Sequence, residues 1–170
     1  MIDVEYCRLL ARYNRWMNER MYAALVTLPD DERKRDRGAF FGSIHRTLAH
    51  ILWGDRTWLG RFTGEPHAVP AYGADAHPEF KALAREREDA DRDILRWAGA
   101  LDDAWLASTL EYRASSDRKL RQVPAWIAAT HLFHHATHHR GQVTTLMKQA
   151  GVDPGVTDLP YLPGVVRIVD

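Results

Sequence analysis

The chain lacks the features that would commit it to several large classes of protein. It has a single cysteine, Cys7, so no disulfide can form within it, which fits a reducing compartment. Cys7 reads as a small apolar residue on a helix face. No apolar run approaches the roughly 20 residues that a membrane-spanning helix needs. The opening residues, Met1-Ile2-Asp3-Val4-Glu5, carry neither the basic stretch nor the apolar core of a secretory leader. There is no surplus of charge either, because 23 basic residues balance 23 acidic ones. A protein that grips nucleic acid by its phosphates needs a basic surplus. These absences lead to the expectation of a cytoplasmic protein that engages neither membrane nor nucleic acid.

What is present is helical periodicity. The 170 residues suit one domain, spanning residues 1–170, with enough chain to bury a core. A first helix is expected over residues 3–28, with Asp3 as N-cap and Val4, Cys7, Leu10, Tyr13, Met17, Met21, Leu25 and Leu28 at helical spacing. Pro29 ends it, and the charged residues 30–38 read as a connection. A second helix is expected over residues 40–62. Residues 67–78 form a loop punctuated by Pro70, Gly73 and Pro78. A third helix starts at Pro78 and runs to residue 101. Phe80, Leu83, Arg87, Ala90, Ile94 and Trp97 share one side of it. Arg85, Glu86, Glu88, Asp89, Asp91, Arg92 and Asp93 read as its solvated face. Residues 102–105 form a capped helical turn, and residues 109–113 pair with 119–123 in a hairpin. The last helix spans residues 124–150, with Pro124 at its start and Gly151 at its end. The tail, residues 152–170, lies extended over the helices. This pattern predicts an all-α protein, a four-helix bundle with a short hairpin segment before its last helix.

The unusual feature is histidine. Of 9 histidines, five fall between His131 and His139 on the last helix. An α-helix turns about 100° per residue, so with His135 at zero, His139 lies at about +40°, His131 at about −40° and His138 at about −60°. Gln142 falls on the same line, whereas His134 points off it. Burying imidazoles without partners costs free energy, but two at i and i+4 can converge on one ion. His131 with His135, His135 with His139, and His134 with His138 all have that spacing, and spacing alone does not choose among them. Zinc or nickel needs at least three protein ligands, so another helix must supply one. The second helix offers His45 and His50, and position along the helix favours His50. His67 and His77 lie in the loop. Asp55 could orient a ligand or accept a proton; its bland alternative is a helix-surface carboxylate. Arg140 points away from the histidine face and suits a structural or interface salt bridge.

Three segments resemble DinB-like proteins over essentially the whole chain. Phe41-Gly42-Ser43-Ile44-His45-Arg46-Thr47-Leu48-Ala49-His50 and its continuation to Leu59 resemble their second helix. His131-Leu132-Phe133-His134-His135-Ala136-Thr137-His138-His139-Arg140-Gly141-Gln142 resembles their last helix, and its stretch from His135 to Gln142 is the specific part. Val152-Asp153-Pro154-Gly155 and the residues to Tyr161 resemble their tail. The resemblance implies a four-helix bundle of the DinB/YfiT type, usually a homodimer. It also implies a divalent metal ion, zinc or nickel, held by His50, His135 and His139. The family's first ligand often follows Asn, where this chain has Ala49. Better-understood relatives use small thiols, which implies a thiol S-transferase or a related hydrolase acting on a small-molecule thiol or electrophile. The alternatives are a non-catalytic metal-binding stress-response protein and a metal-free binding module. An open coordination position would let such an ion lower the pKa of a thiol or water. A homodimer would use the faces of the first and last helices, where an outward Gly141 permits close approach.

Overall fold

The structure is a computed structural model that describes residues 2–65 and 77–167. Pro66, His67, Pro70 and Gly73 of the expected loop lie outside the described residues. Four long helices carry the fold: α1 (Val4–Leu25), α3 (Ile44–Thr63), α4 (Phe80–Ala100) and α6 (Ala125–Gln149). Two short helices, α2 (Asp30–Lys34) and α5 (Asp103–Ala107), and two strands, β1 (Thr109–Arg113) and β2 (Leu120–Pro124), complete the series before a 3₁₀ turn at Leu159–Tyr161. None of the described helices is long and apolar enough to cross a membrane.

Side-chain caps fix the starts of α1, α3 and α5. Asp3 accepts a hydrogen bond from the Tyr6 amide at 2.8 Å, Ser43 from Arg46 at 3.2 Å and Asp102 from Trp105 at 2.7 Å. Each such cap contributes about 1 kcal/mol. Ser43 also corrects the expected start of the second helix at residue 40. Gly42 takes a left-handed φ of 77°, and Ala39 and Gly42 close a tight bridge that the helix cannot include. Pro78 likewise precedes α4 instead of lying in its first turn, because the helix begins at Phe80. The stretch read as a charged connection holds α2. Its acidic residues Asp30, Asp31 and Glu32 come first and Arg33 and Lys34 last, the order that complements a helix dipole. The Arg33 guanidinium turns inward and donates to the carbonyls of Leu25 and Leu28, closing the end of α1. The hairpin lies where expected, shifted by one residue on its second strand: Thr109 pairs with Pro124 and Arg113 with Leu120.

Each long helix packs on two others, α1 on α4 and α6, and α3 on α4 and α6. Their apolar stripes form two clusters. Met21, Leu25, Leu48, Leu52, Leu83, Val143 and Met147 belong to one, and Cys7, Phe62, Ile94, Trp97, Leu132 and Phe133 to the other. Among the buried residues is also a set of polar ones: Asn14, Asn18, Asp55, Arg87, Asp91 and Arg140. Arg87 donates to Asp55 at 2.6 Å and lies 2.9 Å from Asp91. Asn18 and Asn14 also donate to Asp91, and Arg140 donates to Asn14 and Thr137. The two guanidinium groups and two carboxylates balance in charge. Burial works against the Arg87 charge, but Asp91 and Asp55 more than offset it and raise its pKa.

This network corrects three expectations. Asp91 does not lie on the solvated face of α4, because two asparagines and an arginine draw it inward. Asp55 is neither a surface carboxylate nor a member of the histidine site; it is fully buried against Arg87. Arg140 does face away from the histidines, but its hydrogen bonds go to an amide and a hydroxyl in the core.

Candidate metal centre

The three histidines meet where α3 and α6 face each other. One nitrogen from each of His50, His135 and His139 lies within 4.8 Å of the others, close enough to hold an ion. The Nε2 atoms of His50 and His135 are 3.1 Å apart. Two lone pairs cannot face each other at that distance without a proton or a cation between them. Tetrahedral zinc, with Zn–N bonds of about 2.0–2.1 Å, would set two such nitrogens about 3.3 Å apart. The donor set and its spacing therefore fit a divalent ion.

The surroundings hold the rings in place. Gln142, one turn beyond His139, accepts from its Nδ1 at 2.9 Å, which leaves Nε2 free to face the cluster. The amide of Gln142 also reaches His138 Nε2 at 3.2 Å. Phe41 stacks on His50 with ring centroids 4.0 Å apart and meets His139 edge-on at 5.4 Å. Trp53 stacks on His50 from the same helix at 5.8 Å. The ring of His135 occupies the space beside Gly54, where a Cβ would come within 2.6 Å of its Cε1. Its Nδ1 is buried and, among the described residues, has no hydrogen-bond partner.

Electrostatics keeps these imidazoles neutral, the form that binds metal. Burial pushes His50 down to about 4, aided by His139. Burial pushes His135 down to about 3, aided by His139 and His50. Burial also lowers His139, while its bond to Gln142 opposes the shift.

The remaining candidates lie apart. His45 is buried, with Nε2 2.5 Å from the carbonyl of His77, and burial lowers its pKa. The ring of His77 lies 3.2 Å from Glu86. His134 is exposed, as its angle on the helix predicts, and so are His131 and His138. Gly54 stands outside the histidine pattern of the sequence, and its signal there is only that of an isolated glycine inside a helix, which marks close approach of another group. Gln142 falls on the histidine face by its helical angle, but its bond to His139 leaves no signal in the spacing. The stacking of Phe41, which lies before the helix start, left no sequence signal.

The chain matches the family model described as "DinB family" over residues 1–164. It is 25% identical over 154 residues to "Protein DinB" of Bacillus subtilis (strain 168), covering 88% of each chain. It is 27% identical over 133 residues to "Uncharacterized protein YrdA" of the same organism, covering 78% of this chain and 76% of that protein. The crystal structure of a DinB-like protein from Bacillus cereus ATCC 10987 superposes with a TM-score of 0.60 at 22% identity, covering 88% of this chain and 91% of that one. At that identity the likeness speaks for the fold alone.

Proposed function

The chain belongs to the DinB family, and from that premise we propose that it holds one zinc or nickel ion through His50, His135 and His139 and acts as a thiol S-transferase or related hydrolase. The observation that carries the reading is the approach of three nitrogens from two helices to within 4.8 Å. An ion bound there supplies Lewis acidity and lowers the pKa of a thiol or water at its remaining position. The chain's own residues supply neutral imidazoles, the space beside Gly54 and the Gln142 bond that aims His139. In the transferase reading the thiol sulfur displaces a leaving group from an electrophile, and the thiol proton passes to solvent. A homodimer through α1 and α6 belongs to the same reading. Among the described residues, nothing outside its own helix lies within 4 Å of a Cβ at Gly141, which supports close approach of a second copy there. The setting is a reducing one, the cytoplasm.

The test is metal analysis of the purified protein followed by assay. We expect close to one zinc or nickel per chain, a higher melting temperature on adding either ion, and turnover of an electrophile with a small thiol. Absence of both bound metal and stabilisation overturns the metal reading. Bound metal without turnover by any thiol or by water favours a non-catalytic metal-binding protein.

A further inference from the structure

A row of rings continues past the histidine cluster. His131 lies one turn before His135, about 6 Å along α6, with ring centroids 5.6 Å apart. Trp58 of α3 meets His131 edge-on at 4.9 Å. Over Trp58, at 4.4 Å, lies the guanidinium of Arg61, which is also 4.5 Å over Tyr112 of β1. Arg61 thus lies over two aromatic rings that meet edge-on with centroids 5.1 Å apart, leaning back toward the start of its helix as helical side chains do. Its hydrogen bonds go to the Arg113 carbonyl at 3.3 Å and the Ser115 hydroxyl at 3.1 Å, both neutral acceptors. The nearby Arg121 is matched by Asp117 through two contacts of 2.9 and 3.0 Å. The hairpin and its turn, residues 109–124, carry four basic residues (Arg113, Arg118, Lys119, Arg121) against two acidic ones (Glu111, Asp117). A half-buried cation with neutral partners, fixed in orientation beside a basic hairpin, suits an anionic ligand group. A guanidinium fork matches a carboxylate in shape and hydrogen bonding.

We propose that Arg61, with His131 beside it, is a carboxylate-recognition subsite of the histidine centre, so that the thiol substrate is one that carries a carboxylate several bonds from its sulfur. The inference rests on the proposed function, because it assumes that the thiol end enters the cluster of His50, His135 and His139. The carboxylate end then reaches Arg61 and His131, and the flat ring of Trp58 beside them gives the connecting chain an apolar surface to lie along. Arg61 acts here as a binding residue for specificity, away from the reacting atoms.

The experiment uses the zinc-loaded full chain and calorimetric titration with ω-mercaptocarboxylates of increasing length, against ω-mercaptoalcohols of matching length. We expect one range of carboxylate lengths to bind about tenfold tighter than the matching alcohols, the effect of one charge-assisted hydrogen-bonded contact. Arg61→Ala should abolish that preference while leaving zinc content and alcohol affinity unchanged. Arg61→Lys should keep part of it. A purely structural tie between Arg61 and the hairpin would shift melting temperature but not the ratio of carboxylate to alcohol affinity. Equal affinities at every length, or a preference that survives Arg61→Ala, overturns the subsite alone. Failure of zinc or of the neutral thiols to bind overturns the proposed function and the subsite with it.

Discussion

The imidazole of His135 rests against Gly54 so closely that a Cβ at residue 54 would come within 2.6 Å of its Cε1. The bare helix backbone at residue 54 is what lets a ring from α6 reach a nitrogen on α3. Gly54→Ala should therefore displace the His135 ring. Overpacking of this kind costs about 1–3 kcal/mol, which denaturant unfolding would show. Zinc affinity should fall more than about tenfold, since ligand distances must hold within roughly 0.2 Å. Unchanged zinc affinity in a folded Gly54→Ala protein would show that this contact does not set the ring.

The choice of histidines is open to direct substitution. His135→Ala and His139→Ala should each lose bound metal, and His134→Ala should keep it, because His134 is exposed and off the face. Metal content per chain is the readout. Full retention by His139→Ala would mean that another pair on α6 binds the ion.

Gln142 acts through His139. Its Oε1 accepts from Nδ1 at 2.9 Å and so selects the orientation that presents Nε2. Gln142→Leu should lower metal affinity by about 10–100-fold, the usual effect of removing such an outer partner. Helix content should not change, and competition with a chelator would measure the loss.

Behind the site, Asp55 follows Gly54 and Arg140 follows His139, so each helix turns one side to the histidines and the other to the buried polar network. Asp55→Ala would leave Arg87 short of one of its two buried carboxylates. Removing one partner of a buried pair costs about 3–5 kcal/mol. Urea unfolding of the variant should show that loss, with the metal stoichiometry of the folded fraction unchanged.

Cys7 gives a pH signature. Burial, with help from Asp3, pushes its thiol up from 9.0 to about 11. Between those values the unfolded chain has lost the proton that the folded chain keeps. Stability from this group is full below about pH 9 and is lost as pH rises toward 11. At pH 9 iodoacetamide should label the denatured chain rapidly and the native chain hardly at all. Rapid native labelling would show that the thiol is accessible.

The helical architecture was legible because the apolar spacing along α1, α3, α4 and α6 repeats with the helix period. The histidine cluster was legible because five imidazoles in nine residues are hard to place in an apolar core. Spacing did not say which pair on α6 faces α3; the family resemblance selected His135 and His139, and the coordinates place both beside His50. The polar layer was not legible. Asp91 looks like its exposed acidic neighbours until the facing residues Asn14 and Asn18 are known, and these come from a helix more than 70 positions earlier. The same holds for Asp55, whose partner Arg87 lies on another helix. Helix α2 was hidden because five charged residues carry no apolar stripe; its order of charges was the available sign. Gly54 was readable in principle, but a glycine inside a helix tells of a close neighbour without naming it.

Anomalous scattering from crystals of the zinc-loaded protein tests the central claim most directly. The account predicts one strong peak at the zinc edge, about 2.0–2.1 Å from a ring nitrogen of each of His50, His135 and His139. A map with no peak among these three rings, or with its peak on His131, His134 or His138 instead, would contradict it.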